Sequence, residues 1–251
     1  MAQINKPNEY FNTKLYTGTG STGHAITGVG FQPDWVWLKN RDATNPHSLH
    51  NSVRGSSKYL TSNGTDAEAT STNRIESFDS DGFTLGSDGN INFNTENFVS
   101  WNWLAGGSAS SNTDGNITSS VSVNTTSGIS IGTYSSIESN TGKTVGHGLG
   151  SKPDMVMVKK TSGTAGWVGW HQGLTGGSEE DRLIALNSTN ASAVITDYWG
   201  SGFNSTTFGL WDSAGDNSGT GDYWFFAFKG IKGFSKFGKY VGNNIDDGTF
   251  V

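Results

Sequence analysis

The chain has 251 residues, a formal charge of -6, no cysteine, 4 prolines and 36 glycines, so glycine stands at about twice its usual level of about 7%. Charged residues are only 15% while aromatics reach 12%, which argues against a disordered polyelectrolyte, and the missing cysteines exclude disulfide scaffolds, thiolate metal sites and cysteine nucleophiles. An acidic chain with 16 scattered Lys and Arg offers no broad cationic surface, so nucleic acid is not an expected partner.

The first stretch, 1–12, lacks a basic region and an apolar core and reads as an N-terminal arm rather than a secretory signal. No apolar run approaches the 18 or more residues of a membrane helix, so a soluble protein made in the cytosol, without membrane insertion, is expected. From residue 13 the punctuation is that of short strands. Trp35-Val36-Trp37-Leu38 follows Pro33-Asp34, and Phe98 to Trp103 alternates so that Val99, Trp101 and Trp103 share a face. Between them lie turn clusters such as Asp79-Ser80-Asp81-Gly82 and Ser87-Asp88-Gly89-Asn90. The helical signal is confined to one short turn at 66–72.

The chain then repeats itself. Pro33-Asp34 and its apolar run return as Pro153-Asp154 and Met155-Val156-Met157-Val158, at an offset of 120. His50 aligns with His171 at an offset of 121. After an insertion near 177–182, Phe78, Phe83 and Leu85 fall on Phe203, Phe208 and Leu210, and Phe98, Trp101 and Trp103 fall on Tyr223, Phe226 and Phe228, at an offset of 125. A rising offset with apolar identity kept is the mark of a duplicated unit with loop insertions. The reading is all-β: tandem antiparallel β-sandwich modules of jelly-roll-like type over 13–107 and 129–231. They are joined by a Ser/Thr/Gly-rich linker or loose edge strand at 108–128, and 232–251 form a linker and the first strands of an incomplete third unit, because Lys239-Tyr240-Val241-Gly242 resembles Leu15-Tyr16-Thr17-Gly18.

Candidate chemistry is sparse. His47 and His50 form a bare His-x-x-His pair without a third ligand, and Asp79, Asp81 and Asp88 lack the spacing of a calcium loop, so no metal or cofactor is expected. No zinc-protease motif is present, and Glu179-Glu180-Asp181 reads as a solvated loop; no catalytic residue is assigned. Trp35, Trp37, Trp101 and Trp103 read as core. Trp199 and Trp211 align with Arg74 and Gly86, lie beside turns and are the candidates for rings that stack on a glycan. The stretch from Lys229 to Tyr240, with Phe234 and Phe237 among lysines, reads as a linker that docks through its phenylalanines.

Taken together, YTGTGS, GVGFQPDWVWLKNR, ESFDSDGFTLGS, FVSWNWLAGG and FSKFGKYVGN resemble a repeat-domain family of structural proteins of marine tailed bacteriophages, commonly described as tail fibres or as a domain of unknown function. The resemblance implies a virion protein, made in the host cytoplasm. It would be a non-enzymatic tail fibre or appendage that attaches to the host through surface contacts, with other virion proteins and a host glycan or receptor as partners, and would form a homo-oligomer, with a trimer favoured. The alternatives are a capsid decoration or head fibre, and a β-sandwich enzyme that degrades surface polysaccharide.

Overall fold

The computed structural model describes residues 4–136, 142–211 and 216–243. With 41% of residues in strands and 4% in helix, the protein is an all-β sandwich built from antiparallel sheets. The end of the proposed third unit, 244–251, lies outside the described residues.

In chain order, the first half contains β1 (Phe11–Thr17), β2 (His24–Ile26), β3 (Trp35–Asn40), β4 (Ser48–Asn51), β5 (Gly55–Leu60), β6 (Ala69–Thr70), β7 (Ile75–Asp79), β8 (Gly82–Leu85), the short α1 (Gly89–Asn92) and β9 (Asn97–Trp103). Six of these strands form one sheet, in the order β1-β9-β3-β4-β5-β6, and β2-β8-β7 form a small second sheet. Among the described residues the α-helical turn lies at α1, where Asp88 accepts from the Asn90 N–H as N-cap, with short 3₁₀ turns at Pro7–Glu9 and Glu179–Asp181, and 66–72 instead carries β6.

The second half contains β10 (Ser110–Asn112), β11 (Ser119–Asn124), β12 (Ile129–Ser136), β13 (Thr144–Gly146), β14 (Met155–Lys160), β15 (Trp167–His171), β16 (Arg182–Ala185), β17 (Ala193–Val194), β18 (Thr207–Gly209) and β19 (Gly221–Phe228). Its large sheet runs β10-β11-β12-β19-β14-β15-β16-β17, and β13 pairs with β18. The hydroxyl-rich stretch 108–128 therefore carries two strands, β10 and β11, that extend this sheet at its edge.

Strand register follows the repeat. Trp35 pairs with Trp103 and Trp37 with Trp101, as Met155 pairs with Phe228 and Met157 with Phe226. Phe78 opposite Phe83 is matched by Phe203 opposite Phe208. One alignment needs correction. His50 pairs with Val36, but His171 pairs with Met155, so the structural counterpart of His50 is Trp170 and that of His171 is Asn51. The slip of one residue matters because it turns a side chain to the other face of the sheet: His50 hydrogen-bonds Ser48 and the Ser56 carbonyl in the interior, whereas His171, on the opposite face, is half-buried and accepts from the Gly173 N–H at 2.9 Å.

The repeated Pro-Asp owes its place to a carboxylate clamp. Asp34 accepts from Ser52 Oγ at 2.8 Å and from the N–H groups of Ala105 and Gly107 at 2.8 and 3.0 Å, tying the start of β3 to the chain leaving β9. Asp154 does the same beside β19, accepting from the Gly230 N–H and from Lys229 Nζ, each at 2.7 Å. Such charge-assisted bonds to backbone are among the stronger ones available.

Three apolar cores result. Val36, Leu38, Ile75, Phe83 and Leu85 fill the space between the first large sheet and its small sheet. Val156, Val158, Trp170, Phe208, Tyr223 and Phe225 do so in the second half. The third core lies between the two large sheets, where Trp35 and Leu49 of one meet Met157, Trp167, Trp224 and Phe226 of the other. Trp35 stacks on Phe226 at 4.6 Å and meets Trp224 edge-on at 5.8 Å. Loops seal the side of this core: the Ala165 N–H donates to Thr65 O, the Glu68 N–H to Thr161 O and Trp167 Nε1 to Thr61 O, at 2.8 to 2.9 Å.

Candidate functional site

Alternation within β3 and β9 decides what the shared core can offer. Val36 and Leu38 point to the outer core, so Trp35 and Trp37 must point to the other large sheet, and Trp103 joins them from β9. Towards one end of the interface the sheets do not close completely, and a half-open cavity of about 380 Å³ remains. Phe11, Trp35, Trp37 and Trp103 line it from the first half, and Ile129, Met155, Phe226 and Phe228 from the second.

The stretch after β19 closes part of the opening. Asp154 fixes Lys229 and Gly230, and a turn follows in which the Phe234 and Ser235 N–H groups both donate to Ile231 O at 2.9 Å. Phe237 then stacks on Phe228 at 5.2 Å and Phe234 meets Tyr10 edge-on at 6.3 Å, while Gln172 Nε2 donates to the Phe237 carbonyl at 2.8 Å. This stretch docks through its two phenylalanines.

The cavity wall is almost wholly apolar. Tyr10 is the one titratable side chain among the described residues lining it. Two buried donors in the wall, Trp35 Nε1 and Ser127 Oγ, have no hydrogen-bond partner among the described residues. Such a cavity can hold apolar groups and offer a hydrogen bond to an acceptor; its wall contains no acid–base pair for proton transfer.

The residues singled out from sequence lie elsewhere. Trp199 is fully buried in the core of the second half, with Nε1 donating to Arg182 O at 2.9 Å, so its ring is not available to a sugar. The expectation of exposure rested on its alignment with Arg74, and that premise fails because Arg74 is itself buried, bonded to Ser48 and Asp88 with its guanidinium 3.7 Å above the Tyr59 ring. Trp211 is half-buried and lies 4.7 Å from Tyr198, apart from Trp199's fully enclosed position.

Neither histidine nor aspartate candidates converge. Trp37 Nε1 donates to His47 Nδ1 at 2.7 Å while His50 is enclosed; burial, the largest cause, pushes the His50 pKa down to about 3. Asp81 accepts from the N–H groups of Gly28 and Gly30, Asp79 from Ser77 and Thr84, and Asp88 caps α1 and pairs with Arg74. Glu179 pairs with Lys152, and Asp181 accepts from the Ser178 and Asp197 N–H groups. Each of these acids serves a turn or an ion pair.

Strand patterning assigns the tryptophans of β3 and β9 to core without revealing that they define a cavity between the repeats. The signal was present: WVWL and MVMV are apolar at every position, which means both faces of those strands are covered.

The protein is thus a layered all-β sandwich in which two repeated units share a central aromatic core. It belongs to the family described as Domain of unknown function (DUF7483), whose model matches residues 6–251. No curated protein and no solved structure matches the chain.

Proposed function

We propose that the chain is a non-enzymatic structural module of a bacteriophage virion, a tail fibre or appendage that attaches to the host through non-covalent surface contacts. The observation that carries this reading is the shared core. It joins the two large sheets into one thick β block, a form suited to bearing and transmitting load, and Asp81, Asp79, Asp88 and Glu179 are engaged in turns, caps and ion pairs. The phage assignment itself rests on the sequence motifs.

Of the two proposed glycan platforms, Trp211 remains, since it is only half-buried. Trp211→Ala is expected to weaken binding of the chain to host envelope polysaccharide with little loss of stability. The decisive experiment adds purified chain to host cells before challenge with particles and labels those particles with antibody to the chain. Competition for adsorption with label on the tail supports the proposal. Label on the head assigns the chain to capsid decoration, and unlabelled particles overturn the virion reading. Release of sugar from envelope preparations would overturn the non-enzymatic one.

A further inference from the structure

The edge of the first large sheet differs from every other sheet edge among the described residues. β1 is seven residues long, whereas the remaining terminal strands, β6, β10, β17, β2, β13 and β18, have two or three, and β7 has five with a register shift against β8. Proteins blunt long edges with prolines, bulges or charge because the unpaired row of N–H and C=O groups is a template for another strand. β1 has no proline and no bulge, its one charged residue is Lys14, and Leu15 is 63% exposed at its middle.

Bond parity shows which groups are free. Leu104 N–H donates to Tyr10 O and Gly18 N–H to Glu96 O, so the even residues of β1 face β9 and the odd residues, Phe11, Thr13, Leu15 and Thr17, direct their backbone groups outward. The Thr13 N–H is taken by Asn12 Oδ1 at 3.0 Å; the Leu15 and Thr17 N–H groups have no partner among the described residues.

The second half shows what belongs there. Lys229 N–H donates to Gly128 O just as Leu104 N–H donates to Tyr10 O, which makes β12 the counterpart of β1. Tyr134 stacks on Tyr223 at 5.0 Å as Tyr16 stacks on Phe98 at 5.2 Å. On β12 the equivalent outward edge is covered by an antiparallel strand, β11, in register from Ser119 opposite Tyr134 to Asn124 opposite Ile129.

We propose that the outward edge of β1 is a self-association surface on which β1 of a second copy pairs antiparallel, joining the two six-stranded sheets edge to edge. The strand complements itself. With Leu15 opposite Leu15 of the second copy, Thr13 lies opposite Thr17 and Lys14 opposite Tyr16, so apolar meets apolar, hydroxyl meets hydroxyl and no like charges are directly opposed. This pairing is isologous and closes at two copies rather than the three favoured on the resemblance. It rests on strand geometry and stands whether or not the chain is a virion protein, so its failure and that of the functional reading are separate results.

The absence of cysteine makes the test clean. In a directly opposed, hydrogen-bonded antiparallel pair the Cα atoms lie about 5.5 Å apart, a spacing that a short bifunctional thiol reagent bridges. Leu15→Cys should therefore form a covalently linked dimer with such a reagent at least tenfold faster than Val194→Cys, an exposed control on β17. By mass measurement across a concentration series, the unmodified chain should dimerise, and Leu15→Pro should be monomeric with unchanged far-ultraviolet circular dichroism, because the lost N–H faces outward. A chain that stays monomeric at several hundred micromolar, a Leu15→Pro variant that still dimerises, or cross-linking at 15 no faster than at 194 would each overturn the proposal. Should Leu15→Pro unfold, the cross-linking comparison decides alone.

Discussion

Asp34 shows how one side chain can fix a whole strand junction. It is buried and accepts three hydrogen bonds, so Asp34→Ala strands three donors and should cost about 2–4 kcal/mol by urea unfolding. A loss below about 0.5 kcal/mol would show the clamp to be dispensable. The two tryptophans proposed as sugar platforms should part company on the same measurement. Trp199→Ala opens a cavity in a closed core and should cost about 3–5 kcal/mol, whereas Trp211→Ala, at a half-buried site, should cost about 1 kcal/mol. Equal losses would contradict the burial described. His50 supplies a pH dependence. Its folded pKa, about 3, lies below the ordinary value of 6.5, so the fold favours the neutral ring. The stability this represents is present above pH 6.5 and is lost as pH falls from there towards 3. Between pH 6.5 and 5, where most carboxylates stay ionised, the chain should lose stability with falling pH, and His50→Gln should flatten that slope. An unchanged slope in the variant would place the dependence elsewhere.

At the scale of elements, strands and their register were legible because two copies of one pattern checked each other. Trp35 through Leu38 and Met155 through Val158 carry the same Pro-Asp entry, and the structure pairs them with equivalent residues of β9 and β19. Where the copies share only a polar residue type, the alignment slipped by one, as at His50 and His171. The stretch 108–128 was legible only in part. Ser and Thr supply β-edge strands as readily as linkers, and only the partner strand β12 shows that β10 and β11 extend a sheet. Hydrogen exchange should grade the elements accordingly. Amides in β3, β9, β14 and β19, each flanked by strands on both sides, should exchange only through global unfolding, while the two-residue β6 and β17 at the sheet edges should exchange orders of magnitude faster. Comparable protection at β17 and β19 would contradict the strand order.

For the whole molecule, what the sequence concealed was relative placement. Composition and repetition point to two sandwiches, each with its own core, and neither says that their large sheets turn face to face. The clue lay in strands apolar on both faces, with Trp35 and Trp37 on the face opposite Val36 and Leu38, which two separate sandwiches would leave exposed. The same placement creates the aromatic cavity at the end of the interface, so the candidate site could not be read before the units were put together. Because the central core belongs to both halves, they should unfold together rather than in turn.

The shared core is tested most directly by a double-mutant cycle between Trp35 and Phe226, whose rings stack across the interface. With Trp35→Ala, Phe226→Ala and the pair measured by urea unfolding, the account predicts a single transition and a coupling of about 1 kcal/mol or more. Additive losses, with the two halves unfolding in separate transitions, would contradict it.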